Sequence, residues 1–207
     1  MNFMTTTMFA PRIWGFDPST PEVRIARQSG WRMADILWEY LMEQANVAWT
    51  QDDSARAAWG FRRAAWAARL FFAKDDLRHA TVMVNQGICA QARGQMTRAQ
   101  RCFAKALVCW DAHSERALAD IQIAPRARSS LFHLRMEARH RATYHANMQL
   151  RLSKISAEVR AAIAALADGN TAECRLFSRW RGEKPNVFDD TRKILGACLL
   201  IIDADGV

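Results

Sequence analysis

The sequence has little lysine and no long apolar run. Lysine occurs at only five positions, and the other 24 of its 29 basic residues are arginines. The longest apolar run, residues 197–202, is too short to span a bilayer. The amino terminus lacks a basic region followed by a long apolar stretch, which argues against a signal peptide. These absences predict a cytoplasmic protein without a membrane span.

Paired cysteine motifs and nucleotide-binding glycine motifs are also missing. The five cysteines are an odd number and include no Cys-x2-Cys spacing, so a disulfide scaffold is not expected. No Walker or Rossmann glycine pattern and no nucleophile elbow is recognised. We therefore expect a non-catalytic protein that carries no cofactor.

Two pairs of residues have a spacing that metal sites use. Cys109 and His113 lie four residues apart and share a helical stripe with Cys102, but three ligands on one helix lie too far apart to meet at one ion. Glu137-x2-His140 has the spacing of carboxylate-bridged di-iron bundles, which need a second such motif that the chain lacks. Packed cysteines and histidines, with no bound metal, are the expectation.

The formal net charge is +8, which has two explanations. Arginine binds phosphate and carboxylate groups bidentately, so the charge can serve an anionic partner. An arginine-rich, lysine-poor composition also follows from a GC-rich genome. The basic residues are spread along the chain, with no basic run of five or more, which weakens the case for nucleic acid.

Apolar residues recur at three- and four-residue steps through most of the chain, and no series of strands and turns is visible. The sequence therefore predicts an all-α fold of antiparallel helical hairpins with additional C-terminal helices. The predicted helices span about 31–49, 54–73, 77–92, 97–110, 114–121, 127–152, 156–167 and 171–181. A buried closing helix is expected after Asp189 or Asp190, and a strand is the alternative for its apolar run 194–202.

Prolines and glycines punctuate the first 30 residues, which predicts an extended N-terminal arm over 1–30. Residues 31–207 are predicted to form a single helical domain. Its hairpins occupy 31–113 and its C-terminal helices occupy 114–207.

One packing formula occurs twice, as Ala57-x3-Phe61-x2-Ala64 and as Ala99-x3-Phe103-x2-Ala106. Small residues precede each triplet at matching points: Ala45 and Ala48 first, then Gly87 and Ala90. Small side chains let two antiparallel helices approach closely, and the phenylalanine is expected to fill the space between hairpins.

The stretch Ala80 to His113 resembles one tetratricopeptide repeat, and the likeness extends over about residues 37–111. Gly87, Ala99, Phe103 and Ala106 occupy the family's small and packing positions. Met83 and Asp111 stand where the family has tryptophan and proline, and the triplets lie 42 residues apart rather than the family's 34. An irregular helical bundle accounts for the same residues without a repeat.

The resemblance implies a concave groove built by the first helix of each hairpin, in which a partner peptide or helix docks. The groove positions carried over onto this chain are Glu39, Met42, Glu43, Asn46, Trp49, Thr81, Asn85 and Ile88. The two asparagine side chains could hydrogen-bond a bound peptide backbone.

The leading hypothesis is a non-catalytic adaptor or chaperone that binds another protein through this groove. The alternative is an all-α regulator that binds nucleic acid or another anionic ligand through an arginine-rich surface. The arginine-bearing 54–73 helix is the best candidate for reading DNA, but Trp59 and Trp66 predict that much of its circumference is buried.

Overall fold

The computed structural model describes residues 15–121, 139–169, 193–194 and 196–197. These ranges contain helices and no strand, which confirms the predicted all-α class. The helices are α1 (Pro21–Gln28), α2 (Met33–Thr50), α3 (Ser54–Phe71), α4 (Arg78–Ala92), α5 (Met96–Ala119) and α6 (Arg139–Ala167). In the described part of the chain, no helix is long and apolar enough to cross a membrane.

The sequence predicts an extended arm over 1–30, but part of this segment is helical. Residues 21–28 form α1, whose first turn is capped by the Thr20 side chain accepting from the backbone N–H of Val23. Pro21 stands at the start of this helix, where its missing N–H costs nothing and its fixed φ suits a helix. Pro21 therefore begins a helix instead of interrupting regular structure. Residues 1–14 of the predicted arm lie outside the described range.

Helices α2 to α5 pack on one another in chain order through short turns. Gly60 of α3 lies against Ala45 of α2, so closely that an added Cβ would be 2.7 Å from the Ala45 Cβ. Gly87 of α4 lies against the ring of Phe103 of α5, where a Cβ would be 2.7 Å from Cδ1. In each hairpin, the two contacting residues lie nearly the same number of residues before and after the turn that joins the helices. Both hairpins are therefore antiparallel.

The two predicted triplets are among the most buried positions of α3 and α5. Their alanines and phenylalanines are all at most 2 % exposed, and they belong to a core that extends from Phe16 to Ala197. The Phe103 ring occupies the space left by Gly87 within its own hairpin. Between hairpins, the Gln86 side chain donates to the Phe61 carbonyl oxygen at 3.3 Å.

Two helices in the described residues after 110 have other bounds than predicted. Helix α5 continues to Ala119, so the separate 114–121 helix is wrong, and no glycine or proline stands between 110 and 119 to end it. The separate helices predicted over 127–152 and 156–167 are also wrong in their division, because α6 is continuous from Arg139 to Ala167. Residues 127–138 and the predicted 171–181 helix lie outside the described residues.

Helix α6 packs antiparallel on α5. Arg160 binds Asp111 with an Nε to Oδ1 distance of 2.6 Å, and Gln149 donates to the Leu118 carbonyl at 3.0 Å. Of the predicted closing helix, residues 193–194 and 196–197 are described and are helical.

Candidate partner-binding surfaces

The eight predicted groove residues divide by burial. Four of them are at most 2 % exposed: Met42, Thr81, Asn85 and Ile88. The other four, Glu39, Glu43, Asn46 and Trp49, are partly exposed and all lie on α2. The part of the first-helix face that solvent reaches is therefore the α2 side, while the α4 positions contribute to the core.

The described residues 193–194 and 196–197 lie at one end of this face. The Thr81 hydroxyl donates to the Ala197 carbonyl oxygen, and the Lys193 ammonium lies 5.8 Å from the centre of the Trp31 ring. Lys193 also borders the small cleft that Asp35 and Glu39 line. Lys193 and Ala197 thus occupy one end of the predicted groove, the end at which α2 and α4 begin.

A buried ion cluster joins the first helices of the two hairpins at that same end. Arg78, at the start of α4, donates from Nη1 to Oδ1 of Asp35 on α2 at 2.6 Å and from Nη2 to Oδ2 of Asp76 at 2.6 Å. Its guanidinium carbon lies 3.4 Å from the centre of the Phe72 ring. Asp35 also accepts from the backbone N–H of Arg32 at 3.1 Å, which caps α2. The cluster therefore aligns the beginnings of α2 and α4.

Burial and hydrogen bonding act in opposite directions on these carboxyl groups. Burial alone would raise the pKa of Asp35, but hydrogen bonds from Arg32 and Arg78 hold it below its ordinary 3.8. The pKa of Asp76 is likewise lowered by its bonds to Arg78, against the effect of burial. Burial opposes the charge of Arg78 too, yet the two carboxylates raise its pKa.

These lowered values predict a loss of stability in acid. Because the folded pKa of Asp35 lies below 3.8, its contribution is complete above that pH and is lost as the pH falls through the folded value. We expect the free energy of unfolding to decrease below about pH 4, and to decrease less steeply in Asp35→Asn. Urea unfolding followed by circular dichroism at a series of pH values measures this. Asp120→Asn, at an exposed position, is the control, and equal acid slopes in the two variants would contradict the expectation.

Helix α3 exposes an aromatic and basic stripe on the side opposite its buried triplet. Trp59 is 54 % exposed and Trp66 is 61 % exposed, and the Arg62 guanidinium lies 5.4 Å from the centre of the Trp59 ring. Leu70, four residues beyond Trp66, is also exposed. The prediction that the two tryptophans bury this helix is wrong. The triplet faces α2 and α4, and the tryptophans lie on the far side of the helix.

A groove separates α3 from α5, with α4 as its floor. Its volume is about 620 Å³ and it is open to solvent. The walls include alanines, whose small side chains leave the groove unfilled. Val82 and Met83 form its apolar floor. The titratable lining residues are Arg69, Lys74, His79, Lys105, Cys109 and His113. Sequence reasoning missed this surface because residues of α3 and α5 that lie 36 or more positions apart must be brought side by side to form it.

The cysteines with described side chains are thiols in apolar surroundings. Burial raises the pKa of Cys89 to about 12 and also raises the pKa of Cys102 and of Cys109. Such thiols stay protonated near neutral pH and are weak nucleophiles. Among the described residues, no group of three or more His, Cys, Asp or Glu side chains is placed to hold a metal ion. Glu137 and the His140 side chain lie outside the described positions.

Comparison with known proteins gives no relative from which a function can be transferred. No protein-family model, curated protein or solved structure matches the chain significantly. The functional argument therefore depends on the surfaces of this molecule.

Proposed function

We propose that the protein is a non-catalytic adaptor or chaperone that holds a segment of a partner protein on TPR-like stacked hairpins. The exposed stripe of α3 carries the proposal. Two tryptophans that are more than half exposed, together with Leu70, offer apolar area that the described part of the chain leaves uncovered. Exposed apolar patches rimmed by polar residues are typical of protein interaction sites, and tryptophan and arginine are enriched among residues that dominate binding energy.

The first-helix face is a second possible contact surface on the same protein. Trp49 and Asn46 remain accessible there, beside Glu39 and Glu43. Its carboxylates favour a basic or neutral segment, whereas α3 carries four arginines and no acidic residue. The two faces therefore select partners of different charge.

The arginines of α3 also support a second candidate, a regulator that binds nucleic acid or another anionic ligand. Interleaved arginine and tryptophan side chains resemble the stacking platforms of single-strand binding proteins. Against this, Arg62 already covers the Trp59 ring. Strong weakening of binding between low and moderate salt would favour this candidate, because phosphate contacts release counterions.

Photo-crosslinking in the native cell tests the proposal. A benzoylphenylalanine introduced in place of Trp66 reports on the α3 stripe, and one in place of Trp49 reports on the first-helix face. The matched control replaces Leu150, an exposed apolar residue of α6. We expect a protein adduct from position 66 that is missing from position 150. Adducts from position 49 would show that the first-helix face is used as well.

Two results would count against an adaptor or chaperone. One is the absence of protein adducts from both positions 49 and 66. The other is adducts that nuclease digestion removes, which would favour the nucleic-acid candidate instead.

A further inference from the structure

The groove between α3 and α5 has an apolar floor and basic walls, and it is open to solvent among the described residues. Val108, on its α5 wall, is 71 % exposed, the largest exposure among the large apolar residues that the structure describes. We propose that this groove binds one amphipathic, acidic helix of the partner protein. The inference rests on the proposed function and adds the partner's chemistry.

The dimensions of the groove favour a helix. Lining residues of α4 run from His79 to Gln86, which corresponds to about 10 Å or two helical turns. The groove is open on one side, so it can hold the apolar face of a helix while the opposite face stays in water. Helices that dock in this way anchor through side chains at i, i+3 or i+4 and i+7.

The charges of the groove favour acidic flanks on that helix. Arg69 stands on the α3 wall, Lys105 stands on the α5 wall and Lys74 lies at one end, and none of the described lining residues is Asp or Glu. Asp111 of α5 is turned towards α6, where Arg160 binds it. A helix in the groove therefore meets positive charge on both sides. Charge complementarity of this kind mainly sets partner choice and association rate.

Two other occupants fit less well. A second copy of this chain would bring α3 with its four arginines, and the chain as a whole carries a net charge of +8. A nucleic acid would gain from the basic walls but would leave Val108 and the floor residue Met83 in contact with phosphate and water. The apolar floor is complementary to leucine-like side chains and not to a phosphodiester backbone.

A displayed library of random 18-residue peptides provides the probe, selected on the full-length protein. We expect the enriched sequences to show apolar residues at helical spacing with aspartate or glutamate beside them. Selected peptides should gain helical circular dichroism on binding.

Two valine variants locate the binding. Val108→Glu places a carboxylate in the groove, and Val47→Glu places one at an exposed position of α2, where the native valine is 49 % exposed. We expect Val108→Glu to weaken binding of a selected peptide about tenfold or more, and Val47→Glu to leave it within about twofold. Lys105→Glu should lower the affinity for acidic peptides. The same variant should raise the affinity for versions of those peptides that carry lysine in place of glutamate.

Enriched peptides that are not acidic, that lack helical spacing or that bind Val108→Glu as tightly as the native chain would overturn the inference. So would an enrichment of no sequence at all. None of these results would remove a protein adduct at position 66, so the proposed function can stand while this inference fails. A fluorescent single-stranded oligonucleotide that competes with the selected peptides would assign the groove to nucleic acid.

Discussion

Replacing Arg78 by methionine is expected to lower the free energy of unfolding by about 3 kcal/mol, because it leaves a buried carboxylate without its principal partner. Asp35 is 1 % exposed and accepts a bond of 2.6 Å from Arg78. The methionine also loses the guanidinium contact with the Phe72 ring. Arg32 still binds Asp35 at 3.2 Å, which keeps the loss near the lower end for a broken buried pair. Urea unfolding followed by circular dichroism measures it.

A second variant separates the charge from the loss of packing. Asp35→Asn combined with Arg78→Met removes the unpaired carboxylate while keeping an oxygen that can cap α2. We expect the double variant to be no less stable than Arg78→Met alone, since the two positions are coupled. Arg116→Met is the surface control. Its ion pairs with Asp75 and Asp120 are long and exposed, so little change is expected. A double variant weakened by the sum of both single losses would show that Asp35 and Arg78 act independently.

Local spacing in the sequence accounts for the parts of the fold that depend on close helix approach. The two Ala-x3-Phe-x2-Ala triplets predict the buried faces of α3 and α5, because small residues four and seven apart lie on one side of a helix. The Asp35 to Arg78 contact spans 43 residues. No periodicity within one helix can indicate it, since it depends on α2 and α4 beginning at the same end of the molecule.

The errors of prediction have physical causes as well. The prediction that Trp59 and Trp66 are buried depends on the general preference of tryptophan for the interior. The triplet already fixes the buried direction of α3, and a helical projection from Ala57 and Phe61 puts both tryptophans on the opposite side. This signal was present in the sequence. The groove over α4 was not predictable in the same way, because its shape depends on how far α3 and α5 stand apart.

The same division between the faces of α3 leads to the second large effect. Phe61 and Trp66 stand five residues apart and on different sides of this helix, and Phe61 is 0 % exposed while Trp66 is 61 % exposed. Phe61→Ala should lower the free energy of unfolding by about 3–5 kcal/mol, through lost apolar burial and the cavity that remains. Trp66→Ala removes a larger side chain from a mostly exposed site and should cost about 1 kcal/mol or less. Urea midpoints and slopes of both variants give the comparison.

A loss of this size approaches the whole stability of many domains, so Phe61→Ala is expected to be partly unfolded near physiological temperature. Phe61→Leu keeps most of the apolar volume and should recover more than half of the loss, which a purely aromatic role would not allow. If Trp66→Ala proved as damaging as Phe61→Ala, the buried face of α3 would be misassigned. The exposed stripe and the neighbouring groove would then lose their basis. The stability of the Phe61 and Trp66 variants therefore tests the surface on which the functional proposal depends, without any knowledge of the partner.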